Sequence, residues 1–95
     1  MTVFIMRGKY SPAAVRRINR SRTVKGTAIV RRCGGRLTGV YATMGDTDLL
    51  LIAEFPSVEK AMQASVALNK ALDISFVTTP ALSIADFDRL AGSRA

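Results

Sequence analysis

Two unbroken apolar stretches, Val3 to Met6 and Leu49 to Ala53, constrain this 95-residue chain more than any other feature. Alternate residues of a strand point to opposite faces, so Phe4 and Met6 oppose Val3 and Ile5, while Leu49, Leu51 and Ala53 oppose Leu50 and Ile52. Strands that are apolar on both sides belong in the middle of a sheet covered on both faces. A chain this short buries only about 60 to 65% of its unfolded surface. A single domain over residues 1–95 is therefore expected, with its core in 2–82, a short helical tail in 83–95, and help from a second copy of the chain.

The stretches between these strands give the order of elements. Thr2 to Lys9 reads as a first strand, and Tyr10-Ser11-Pro12 opens a helix with Ser as cap and Pro at the first helical position. That helix is expected to reach Cys33 and to close at Gly34-Gly35, with a break or kink in its middle at Ser21 to Gly26, where helix formers are poor. Arg36 to Ala42 and Asp48 to Glu54 form a hairpin around the Gly45 turn. A second helix starts at Pro56-Ser57 and shows a mostly apolar face of Val58, Ala61, Met62, Ser65, Val66, Leu68, Asn69 and Leu72. Ile74 to Thr79 is the fourth strand, limited by Pro80, and Ile84 to Leu90 is a last helical turn or two.

The order β-α-β-β-α-β is that of a ferredoxin-like α+β fold: a four-stranded antiparallel sheet with both helices on one face and the first and third strands in the centre. The other face is then bare. An exposed patch made of Val3, Ile5, Leu50 and Ile52, or of the residues opposite them, has the size that marks interaction sites. A homodimer joined through this face, as a dimeric α/β barrel, is the expected assembly. The alternative is a monomer whose C-terminal segment folds back over the sheet.

Net charge is +7, and its distribution is uneven: residues 1–45 hold ten Arg or Lys and no acid, while 46–95 hold four against seven acids. Such asymmetry can mark a nucleic-acid surface built on Arg16, Arg17, Arg20, Arg31 and Arg32, or simply a solvated basic helix. The chain has no histidine, the commonest general base and transition-metal ligand, so no cofactor and no metal site are expected. Its one cysteine, Cys33, cannot form an internal disulfide, which suits a reducing cytoplasm. No apolar run approaches the roughly 20 residues of a membrane span, and the first residues lack the pattern of a secretory leader.

Candidate site residues gather around the hairpin. Asp46 is the first acid in the chain, and Asp48 follows the turn directly, where it either accepts backbone N–H groups or orients a ligand at a pocket rim. Arg22 would fall among Val15, Ile18, Ile29 and Cys33 on the apolar side of a continuous helix, and a buried guanidinium there needs a partner such as Asp48 or Asp46. A break at Ser21 to Gly26 would turn it to water instead. Tyr41 and Thr43 share a face of the second strand and offer hydroxyls beside the hairpin. Arg22, Tyr41, Thr43 and Asp48 are thus the ligand-binding candidates, and no catalytic residue stands out. Tyr10 reads as a staple beside the helix cap, Cys33 as a packed thiol, and the methionines as core filler.

Gly34-Gly35-Arg36-Leu37, the turn Tyr41-Ala42-Thr43-Met44-Gly45 and Asp48 before an apolar strand together resemble the GYD domain. The family is named for Gly-x-Tyr-Asp; Gly45 and Asp48 match, and Thr47 stands in place of the tyrosine. The family's Asn-Val-Arg-Thr-Glu-Thr-like stretch corresponds to Asp73 to Thr78, with Ser75 and Val77 in place of its arginine and glutamate. The resemblance implies a dimeric α/β barrel and no established biochemical activity. Three functions follow as expectations. One is a small cytoplasmic homodimer that binds a small ligand or is stress-associated. Another is a cofactor-free enzyme of the monooxygenase or isomerase kind, which rests on fold analogy alone. The last is nucleic-acid binding through the basic first helix.

Overall fold

Burial along the strands follows the period of two that the sequence sets. In the computed structural model, which describes residues 1–92, β1 (Thr2–Tyr10) buries Phe4, Met6 and Gly8, and β3 (Leu49–Phe55) buries Leu51, Ala53 and Phe55. The two strands pair antiparallel, with Phe4 opposite Ala53 and Met6 opposite Leu51, so these residues share one face. With β2 (Arg36–Ala42) and β4 (Ile74–Ala81) at the edges, the order is β2-β3-β1-β4, antiparallel throughout. This is the expected four-stranded α+β sheet with β1 and β3 central. Residues 93–95 of the expected tail lie outside the described residues.

Helices cover the face that carries Phe4 and Met6. On α3 (Val58–Leu72) the buried residues are Ala61, Ala64, Leu68 and Leu72. Val58, Met62 and Val66, which the sequence pattern placed on the apolar face, are 54%, 62% and 53% exposed. Small alanines decide the difference. They let the helix axis approach the sheet closely, which turns the larger side chains one position away to the flank. At the bottom of this layer the rings of Phe4 and Phe55 meet edge to face at 5.8 Å, an arrangement that favours aromatic pairs.

The first helical segment departs from the expected single helix. It is divided into α1 (Pro12–Val15) and α2 (Arg20–Arg32), and the break falls at residues 16–19, not at Ser21 to Gly26. Asn19 sets the new start, because its side-chain oxygen accepts the N–H of Arg22 at 3.1 Å. The weak helix formers after it stay helical because α2 packs on α3, where a Cβ at Gly26 would lie 3.4 Å from Leu72. Tertiary contact overrides local propensity here. The helix closes as expected at Gly34, with φ +79°. Gly34 donates to Arg31 and Gly35 to Val30 at 2.9 and 3.0 Å, the bonding of a Schellman motif.

Two smaller differences concern the edges. β4 runs through Pro80 to Ala81, because an edge strand tolerates the missing N–H. The last helix, α4, extends over Ile84–Gly92 and buries none of its residues. The sheet face opposite the helices therefore stays open: Ile5 is 36%, Tyr41 58% and Val77 59% exposed, with Val3, Leu50 and Ile52 half-buried beside them. Among the described residues, α4 does not fold back to cover it.

Candidate functional site

Arg22 enters the interior by a route that the sequence did not show. Although the helix is broken before it, α2 turns the side chain inward, where it is half-buried. One guanidinium nitrogen donates to the carbonyl of Ala14 at 2.7 Å, and the other donates to the carbonyl of Leu72. Both carbonyls lie in the last turn of a helix, α1 and α3; that of Ala14 also accepts the backbone N–H of Arg17 at 3.0 Å, and that of Leu72 stands at the negative end of the longer helix. Arg22 thus joins two helix ends at once. The two bonds use two of its five N–H groups, so three remain as directed donors.

Arg22 lines a cavity between α2, α3 and the covered face of the sheet, of about 80 Å³. That is several times the ~10–15 Å³ a single water needs and less than the ~300–1,000 Å³ of sites for drug-sized ligands. Its walls are mainly apolar, with Leu37, Val40, Leu51 and Phe76 below and Leu68 and Leu72 beside. Among its lining residues only Arg22 and Tyr10 carry ionisable side chains. Phe76 lies over Gly8, whose absent Cβ would sit 2.7 Å from the ring. The glycine lets the ring lie flat on the central strand.

A β-bulge builds the floor. The pairing of β2 with β3 shifts register between Leu37 and Gly39, so Leu37 faces Ala53 and Val40 faces Leu51. Without the extra residue, two positions three apart would point to opposite faces. With it both reach the cavity. The same shift sends Tyr41 opposite Leu50, onto the open face and away from Arg22. Glycine inside a strand was the available signal for such a bulge.

Asp48 has a different task. Its Oδ2 accepts the backbone N–H of Tyr10 at 3.0 Å, and its own N–H donates to Gly8 at 2.9 Å. It therefore extends the β1–β3 ladder by one rung and holds Tyr10 where its ring lines the cavity. Thr43 closes the turn, donating its backbone N–H to the Asp48 carbonyl and its hydroxyl to the carbonyl of Thr47. Of the four candidates, only Arg22 lines the cavity. Asp48 touches the site through Tyr10, while Thr43 stays in the turn. The partners of Arg22 are carbonyls rather than Asp48, because neutral acceptors at two helix ends stand within its reach.

Comparison with known families settles the lineage. The profile of the GYD domain matches residues 4–91. The chain belongs to the GYD domain family. The match reaches every strand and helix named above, leaving out only Thr2 and Val3 of β1 and the last residue of α4. Neither a curated protein nor a solved structure matches the chain. The GYD motif turn is the hairpin in which Gly45, at φ +104°, makes the reversal and Asp48 makes the added rung. Ser75 and Val77 stand opposite Lys9 and Arg7 on the open face of the sheet. Among the described residues no three His, Cys, Asp or Glu side chains converge, and no helix is long and apolar enough to cross a membrane.

Proposed function

We propose that this GYD domain is a cytoplasmic homodimer that binds a small, largely apolar molecule carrying one carboxylate or carbonyl head. The observation that carries this reading is an apolar cavity lined by a half-buried Arg22 whose guanidinium makes two hydrogen bonds and has further N–H groups to offer. A carboxylate meets such a fork with charge-assisted hydrogen bonds, while a short alkyl chain or a ring fills the apolar walls. The lining favours binding over proton-transfer chemistry, since it pairs no acid with a base. The open sheet face supplies the dimer surface, and a single thiol suits a reducing compartment.

The test is titration with hexanoate and benzoate against hexanol, followed by amide chemical shifts. Binding by the carboxylates should move signals from Tyr10, Arg22, Val40 and Phe76. Arg22→Ala removes a bond to each of two helix ends and should lower stability by about 2–4 kcal/mol. Arg22→Lys keeps the charge and one of these bonds, so it should remain folded while losing roughly tenfold in carboxylate affinity and little in hexanol affinity. If millimolar carboxylate leaves the cavity signals in place, the proposed ligand class is wrong.

A further inference from the structure

Helix α4 is nine residues long and buries none of them. Ile84 and Leu90 are each 73% exposed and Phe87 is 52% exposed. At 3.6 residues per turn these three and Ala91 form one stripe, and Asp86 and Asp88 flank it on either edge. An isolated helix shorter than about 12–15 residues is marginal in water, and most helices owe their stability to packing of the apolar face. The stripe therefore needs a surface that its own chain does not supply. The projecting arm also lengthens the molecule: its radius of gyration is 14.5 Å and its extents are 51 × 29 × 18 Å, where a compact chain of this length has a radius of about 12 Å.

The open sheet face is the complementary surface. Its β1–β4 side presents Ile5 and Val77 to solvent. Between them stands Arg7, exposed, with the apolar Leu50 and Val77 as its cross-strand neighbours. Thus the sheet is apolar around a cation, and the arm is apolar between acids. We propose that α4 of one protomer crosses to the other and lays Ile84, Phe87 and Leu90 on the β1–β4 side of that sheet face, with Asp88 meeting the partner's Arg7. A second copy is the fitting occupant because a two-fold axis places each arm on the other sheet, so that one interface covers both unpartnered surfaces of both chains. This inference rests on the homodimer proposed above and adds the exchanged arm to it.

Sedimentation equilibrium of the full chain tests the arm. Phe87, Leu90, Asp88 and Arg7 are exposed in the protomer, so their variants should keep its fold, which circular dichroism verifies. The wild-type chain should be a dimer, and Phe87→Asp should raise its dissociation constant by about thirtyfold or more, the effect of losing a buried anchor. Asp88→Arg and Arg7→Asp should each weaken the dimer, and the two combined should restore it. A wild-type dimer indifferent to Phe87→Asp and to Leu90→Asp would sink the exchanged arm and leave a sheet-to-sheet dimer standing. A monomeric wild-type chain would sink both, and failure of the charge swap would remove Arg7 as the docking point. Ligand titration reads the cavity independently of all these outcomes.

Discussion

Asp48 shows how one side chain can serve a sheet. Its backbone bonds to Gly8 and its carboxylate to the N–H of Tyr10, so β1 continues past the point where β3 has begun to turn. Removing the carboxylate leaves a part-buried N–H without an acceptor, which costs about 1–3 kcal/mol. Asp48→Ala should therefore melt lower by about 4–8 °C for each kcal/mol lost, and Asp48→Asn should recover much of this because a carbonyl oxygen remains. Equal melting of Asp48→Ala and the wild type would contradict the added rung. The sequence showed this residue to be a turn aspartate or a ligand contact, and both begin from the same pattern of Gly, Asp and strand. What it could not show was Tyr10 as the donor, 38 positions away. The sequence left the direction of Arg22 open between an apolar helix face and water, and its carbonyl partners depend on where two other helices end.

Elements were legible where punctuation is local and obscure where tertiary packing decides. Ser11, Ser57 and Gly34 end or begin their helices as their chemistry dictates. The break between α1 and α2 was misplaced because Ser21 to Gly26 is weak only by propensity, and its contact with α3 lies outside any local window. Similarly, the bulge at Thr38 reverses the outward or inward direction of everything after it, including Tyr41. The paired glycines after α2 divide their work. Gly34 supplies the left-handed residue, whereas a Cβ at Gly35 would stand 2.5 and 2.6 Å from the Phe55 ring and 3.0 Å from the Glu54 carbonyl oxygen. Phe55 is fully buried against Phe4 and cannot withdraw. Gly34→Ala should cost about 1 kcal/mol through backbone strain, and Gly35→Ala about 2–3 kcal/mol through overpacking. Denaturant midpoints that reverse this order would show that Phe55 has room to move.

At the scale of the whole molecule, the described residues leave the sheet face and the α4 stripe uncovered, besides the smaller flank of Val58, Met62 and Val66 on α3. Burial of the first two in a dimer would couple folding to association, so stability should depend on protein concentration. The size of the dependence can be derived. Unfolding entropy is about 2.1 cal/mol/K per residue, or roughly 0.4 kcal/mol/K for the 190 residues of two chains. A tenfold rise in concentration favours the dimer by about 1.4 kcal/mol, and dividing this by about 0.4 kcal/mol/K gives a rise of roughly 3.5 °C in the melting temperature. Calorimetry over a hundredfold range of concentration should therefore show a shift of about 6–7 °C at fixed buffer and ligand. A melting temperature independent of concentration would mean that the folded unit is the single chain, and that the open face contributes nothing to its stability. The same scans with saturating carboxylate separate the two proposed roles: a ligand held by Arg22 raises every melting temperature by an amount set by its own concentration, leaving the slope against protein concentration to the dimer.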